Sequence, residues 1–220
     1  MSLVKKKRRP LERDKDELRD AKYIFIACDD TYAPKQYFES FKFSNVRVYV
    51  VNTTDGTSHA KHVLERLLHL PDNGIAIEEG DELWMVLDVD HCLKISQKGS
   101  FTKAINEAVR RGIHVAISNP CFEYWLLLHC SDEGSQSPPR TPRVILELLK
   151  RNLPSYKKNC INSKDFPFSS VRLACDRAKA IQSQIRDERN PERECSQVYL
   201  LVESIINKCL KTQIPYEFVR

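Results

Sequence analysis

The sequence predicts an α/β domain, built on a mostly parallel sheet of about four strands with helices on both faces and a C-terminal helical extension. Three observations predict it. Over the first 130 residues, short apolar runs alternate with stretches of helical periodicity, the order of βαβ units. The apolar runs do not alternate with polar residues, which is the pattern of strands covered on both faces. Beyond residue 131 helical periodicity continues, but no convincing strand recurs.

Residues 23–28 are apolar and β-prone, end at Asp29 and Asp30, and read as the first strand. Residues 34–41 read as a helix, with Pro34 in its first turn and Tyr37, Phe38 and Phe41 as its buried stripe. Residues 46–51 form the second strand and run into a turn signal that ends at Gly56. Ser58 is the expected N-cap of a helix carrying Val63, Leu64, Leu67 and Leu68 on one side. A loop with Pro71, Gly74 and Gly80 leads to the third strand at 83–87, which runs into Asp88, Val89 and Asp90. Residues 101–110 are amphipathic and stop at Gly112, a C-cap residue. Residues 114–117 form the fourth strand, closed by Ser118, Asn119 and Pro120, and 121–128 read as an apolar helix. The segment 131–142, rich in Ser, Pro and Gly, is the expected linker or mobile loop, and helices are expected at 144–149, 171–185 and 197–210. The chain therefore divides into a basic, flexible segment at 1–20, an α/β core at 21–130 and a helical extension at 131–220 packed on that core.

The chain has 220 residues and a formal charge of +5, which permits an anionic partner without requiring one. Part of that charge is the run Lys5, Lys6, Lys7, Arg8 and Arg9, read either as a set of phosphate contacts or as a solvated tail. The eight cysteines include no C-x-x-C pair, so neither a zinc knuckle nor a redox site is indicated, and free thiols in a reducing compartment are expected. No apolar stretch follows the basic start, and no window approaches the ~18 apolar residues of a membrane span. The expected location is cytoplasmic, with no membrane partner. The six glycines include neither G-x-G-x-x-G nor a P-loop, and Ser118 lacks the G-x-S-x-G elbow. A small-molecule enzyme on a nucleotide-binding sheet is disfavoured accordingly.

The chemistry lies at the strand ends. In an open parallel sheet, ligands bind beyond the carboxyl ends of the strands. Asp29, the pair Asp88 and Asp90, and Glu123 with Asn119 should therefore converge on one edge. Asp88 and Asp90 are two residues apart, which on a strand puts both on one face about 6.5 Å apart. Clustered carboxylates repel and call for a cation, and an all-oxygen set selects Mg²⁺ or Mn²⁺ over zinc. The competing reading is that these aspartates merely cap helices and turns.

The residues 29–38, the 87–90 segment with its D-x-D, and the block 118–129 together resemble the RloB-like family, within the wider Toprim group. The stretch at Tyr156, Lys157 and Lys158 and the pair Asn190 and Pro191 resemble family positions less strongly. The resemblance implies a Toprim/Rossmann-like sheet and a metal-dependent nuclease of bacterial anti-phage defence, acting in abortive infection and often encoded beside an ATPase partner. In the Toprim pattern the first strand ends in glutamate, often followed by glycine. Here Asp29 stands at the glutamate position, Asp30 at the glycine, and Pro34 where a second glutamate is usual. Aspartate reaches about one methylene less, so a metal would be held with altered geometry.

On this reading Asp88 and Asp90 ligate the cation, and Asp29 ligates it or acts as general base. Glu123 holds a second metal or orients a ligand, and Lys157 or Lys158 neutralises charge on phosphate. His129 follows Glu123 by about 9 Å of helical rise, so the two do not touch. It is read as catalytic or as a packed histidine at a helix end. Asn119 is read as a helix cap or as a contact to the site and its substrate. The alternative function is a non-catalytic regulatory or nucleic-acid-binding module of an ATPase-containing complex.

Overall fold

A computed structural model describes residues 21–30, 32–53, 59–90, 95–136, 138–189 and 191–219. Lys5, Lys6, Lys7, Arg8, Arg9, the expected N-cap Ser58 and Asn190 lie outside the described residues. The strands are β1 (Lys22–Cys28), β2 (Val46–Val50), β3 (Glu82–Asp88), β4 (His114–Asn119) and β5 (Cys195–Ser196). They form one sheet in the order β2-β1-β3-β4-β5, in which β1 to β4 are parallel. The four expected strands are present, and the expected count is corrected to five. β5 pairs antiparallel with the end of β4, Ser118 opposite Ser196 and Asn119 opposite Cys195. It closes the edge that four strands would leave open.

Seven α-helices accompany the sheet among the described residues: α1 (Ala33–Phe38), α2 (Ala60–Leu68), α3 (Ile95–Arg110), α4 (Phe122–Leu127), α5 (Pro142–Asn152), α6 (Phe168–Gln182) and α7 (Val198–Lys208). Strand alternation decides which helices each face meets. Phe25, Ala27, Met85, Leu87 and Ile117 point to one side and pack on α2 and α3 through Val63, Leu67, Ile105 and Ala108. Ile24, Ile26, Trp84, Val86 and Ala116 point to the other side and meet α1, α4, α5, α6 and α7. This second layer is the larger. Its centre is the fully buried Tyr37, Phe122, Tyr124 and Trp125, and helices from beyond residue 140 complete it through Ile145, Val171 and Leu201.

Apart from Glu123, α4 is apolar on every side because it lies between the sheet and α5, so the apolar residues at 122–128 are core packing. The loop at 131–141, expected as linker or mobile, is tied down at several points. Glu194 donates its backbone amide to Gln136 O (3.1 Å) and accepts Ser135 Oγ at its own carbonyl (2.6 Å). Its fully buried carboxylate accepts Arg140 N, Nε and Nη2 at 2.6–2.7 Å. At the opposite end of the sheet Glu82 accepts Trp84 Nε1 (2.8 Å) and pairs with Lys208 (3.0 Å), which anchors α7. The seven described cysteines are free thiols, and no described helix is long and apolar enough to cross a membrane.

Candidate acidic site at the sheet edge

β1 and β3 lie side by side, so their C-terminal ends bring Asp29 against Asp88 as the sequence pattern requires. Asp29 Oδ2 accepts the Asp88 backbone amide at 2.6 Å, and Oδ1 accepts that of Asp30 at 2.8 Å. Each carboxylate oxygen keeps a second lone pair. Even so, two backbone donors on a buried side chain give Asp29 the task of bracing the β1 and β3 ends. The turn after β3 is held by β4 and the residue beyond it: Val89 N donates to Ser118 O (2.9 Å) and Asp90 N to Pro120 O (3.1 Å).

Asp88 is 2% exposed, and its Oδ1 is buried without a hydrogen-bond partner. Burial pushes its carboxyl well above the usual range, and Asp29, Glu123 and Asp90 push it further, against a smaller pull from the Phe122 backbone amide. Such a group either keeps a proton or takes a cation. Among the described residues no three His, Cys, Asp or Glu side chains are gathered around one ion-sized point. Mg²⁺ does not demand that, since it keeps several waters and is commonly held by one or two carboxylates. The orphaned Asp88 oxygen and the surplus of neighbouring carboxylates therefore fit a hard divalent cation. Asp88 would be its principal ligand, with Asp90 and Asp29 beside it.

Asp30 is the residue that the sequence reading passed over. Its Oδ1 accepts Tyr32 N (2.7 Å) and Ala33 N (3.3 Å) and so starts α1. Its Oδ2 pairs with Lys158 Nζ at 2.6 Å. The same ammonium lies 3.2 Å from Glu123 Oε1, which also accepts Tyr156 Oη at 3.4 Å. Burial draws the Lys158 ammonium down, but Glu123 and Asp30 outweigh it and the net shift is upward, so it stays charged. Lys158, expected as one of two lysines that could meet phosphate, is thus engaged with protein carboxylates. Lys157 beside it is exposed and has no ion pair among the described residues. Arg66 of α2 also reaches this end of the sheet and donates to Cys28 O (2.9 Å). The signal for Asp30 was visible, as a second acid directly after an apolar strand. Arg66 lies far from the carboxylates in sequence and carried no local signal, and Tyr156 was marked only by the weaker family resemblance at 156–158.

Two residues carried two readings each. Asn119 donates Nδ2 to Pro191 O (2.7 Å) and Arg193 O (3.0 Å), so both its amide protons are used on the protein. It caps no helix, since the α4 N-cap is Cys121. His129 is 5% exposed among Tyr37, Trp125 and Phe166. Ser170 Oγ donates to Pro167 O (2.9 Å), so it accepts from His129 Nδ1–H (3.0 Å), and Nε2 accepts the Tyr37 hydroxyl proton (3.2 Å). That fixes a neutral tautomer. Burial, with Arg177 adding to it, lowers the ring to about 3. A histidine so placed is packing.

No curated protein and no solved structure matches the chain. The family model described as RloB-like protein matches residues 24–205, a span running from β1 to α7. Because that match covers most of the sequence and takes in the whole acidic edge, the chain belongs to the RloB-like protein family.

Proposed function

We propose that the chain is a divalent-metal-dependent nuclease of the Toprim type, hydrolysing phosphodiester bonds of RNA or DNA as the effector of a bacterial anti-phage system. The observation that carries the reading is the buried, unpartnered oxygen of Asp88 among Asp29, Asp90 and Glu123. A hard cation there supplies Lewis acidity toward a phosphodiester. The chain's own residues do the rest. Asp29 holds the Asp88 amide, Asp88 and Asp90 supply the carboxylates that would hold the ion, and Lys158 neutralises Asp30 and Glu123 so that the edge is not wholly repulsive to phosphate. Mg²⁺ or Mn²⁺ is the cofactor on this reading, and an ATPase is the proposed partner.

The test is cleavage of a labelled panel of single- and double-stranded RNA and DNA and of transfer RNA in Mn²⁺ or Mg²⁺, beside Asp88→Ala. Activity in the wild type that is absent from Asp88→Ala and from EDTA is expected. Equal cleavage by both proteins refutes the reading.

One observation favours the alternative of a non-catalytic regulatory module. Lys158 already places a positive charge between Asp30 and Glu123, so part of the cluster is balanced without metal. In that case Mn²⁺ leaves the melting temperature of the wild type unchanged, and the chain co-purifies with an ATPase without cleaving.

A further inference from the structure

The segment at 150–164 carries five cations, Lys150, Arg151, Lys157, Lys158 and Lys164, and no acidic residue. Only Lys158 is spent on carboxylates; the other four have no ion pair among the described residues. Several surface cations elsewhere are compensated, as in Lys61 with Glu65, Arg111 with Glu107, Arg143 with Glu147 and Arg172 with Asp176, whereas Lys103 of α3 is not, among the described residues. Lys150 and Arg151 close α5, where the helix dipole favours cations in any case. Lys157 lies in the loop and has no such reason, and Lys164 sits in a single 3-10 turn, Ser163–Asp165.

The loop is also held in place. Tyr156 Oη and Lys158 Nζ fix it to Glu123 and Asp30, Ile161 N donates to Gln36 Oε1 of α1 (2.7 Å), and the Phe166 ring packs on His129 at 5.0 Å. It therefore runs from the start of α4 to α1, against Asp30 and Glu123 of the acidic edge.

The geometry points to this loop as a basic lip that holds the sugar–phosphate backbone of a nucleic acid across the acidic site. The inference rests on the nuclease reading for its purpose, but not for its binding test. Uncompensated positive charge favours a polyanion by counterion release. None of the large exposed apolar side chains lies in this segment. A protein partner would want such an anchor and a membrane surface would want apolar insertion. Phosphate contacts need only cations and polar donors.

The test is fluorescence anisotropy in EDTA with a labelled 20-nucleotide polyuridine and a 20-base-pair DNA duplex, over a series of salt concentrations. The proteins are wild type, the triple variant Lys150→Ala/Lys157→Ala/Lys164→Ala, and Lys103→Ala, an exposed lysine of α3 on the other layer. The triple variant should bind roughly tenfold more weakly, and its logarithmic salt slope should fall by about 2 to 3, near one per lysine. Lys103→Ala should match wild type. An unchanged triple variant overturns the lip, as does an equal loss in Lys103→Ala, which would mean that binding follows overall charge. Capture by phosphatidylserine vesicles with no binding of either probe also overturns it. The two readings fail separately. Metal-free binding that depends on the lysines, with no cleavage in Mn²⁺, leaves the lip and removes the nuclease. Cleavage that ignores the lysines does the reverse.

Discussion

Replacing His129 with glutamine should flatten the acid lability of this fold. The folded state holds the ring neutral down to about 3, whereas a histidine in the unfolded chain titrates near 6.5. Between those values the unfolded state binds the extra proton, so stability rises with pH there and is lost on acidification. One proton difference is worth about 1.4 kcal/mol per pH unit. Because the unfolded histidine is already half protonated at pH 6.5, taking the wild type from pH 6.5 to 4.5 should therefore cost it about 2.3 kcal/mol through this residue alone. The ring is 5% exposed, so solvent screening takes little of that away. Glutamine can still donate and accept hydrogen bonds, but it carries no titrating group. Urea unfolding followed by circular dichroism at pH 4.5, 5.5, 6.5 and 7.5 gives both stability curves. The carboxylates contribute to each, and the difference between the curves isolates His129. That difference should shrink or reverse toward pH 4.5. Parallel curves would refute the neutral, buried ring, and an activity profile in wild type with a His129-dependent step near pH 6.5 would restore the catalytic reading.

Three further outcomes follow from the acidic edge and its supports. Asp88→Asn should raise the melting temperature in EDTA at pH 7 to 8. The native carboxyl is shifted upward, so its ionisation costs stability as pH rises above the unfolded value, and the amide removes that cost; the same variant should lose any stabilisation by Mn²⁺, read by differential scanning fluorimetry. Lys158→Met should destabilise by about 1–3 kcal/mol in denaturant unfolding, less than a fully buried pair because the lysine side chain is 51% exposed. Asp30→Asn in the same background should recover part of the loss, and additive effects would refute the coupling. Arg140→Ala should cost about 3–5 kcal/mol by the same assay, because it leaves the Glu194 carboxylate buried without its cation.

Much of the fold was legible because it depends on local pattern. The unbroken apolar runs that became β1, β3 and β4 are long enough to read, and strand ends in a parallel sheet converge by topology, so Asp29 meets Asp88 without any distance being known. β5 was not legible. Two residues, Cys195 and Ser196, carry no periodicity, and they are strand only because Gln197 and Glu194 anchor the chain on either side through Ile117 and Gln136. The partners of Lys158 were not legible for a related reason. Sequence shows a lysine near the site but not which carboxylates will face it, and Asp30 and Glu123 are separated from it by long stretches of chain. His129 was ambiguous because residue type alone does not reveal burial.

These contacts also explain why the later helices cannot be an ornament on the sheet. The turn carrying Asp88 and Asp90 hangs on backbone bonds to Ser118 and Pro120 at the end of β4. That end is held in turn by Asn119 gripping the carbonyls of Pro191 and Arg193, and by β5 alongside it. β5 follows directly on Glu194, whose position depends on Arg140 from the loop before α5. Each link is a buried, charge-assisted or backbone hydrogen bond, the kind that fixes geometry as well as adding energy. A carboxylate with an orphaned oxygen needs such a frame, since repulsion from Asp29, Asp90 and Glu123 would otherwise spread the turn open. Loosening Arg140 should therefore reach Asp88 through the chain of contacts, and weaken Mn²⁺ binding at a residue that Arg140 does not touch.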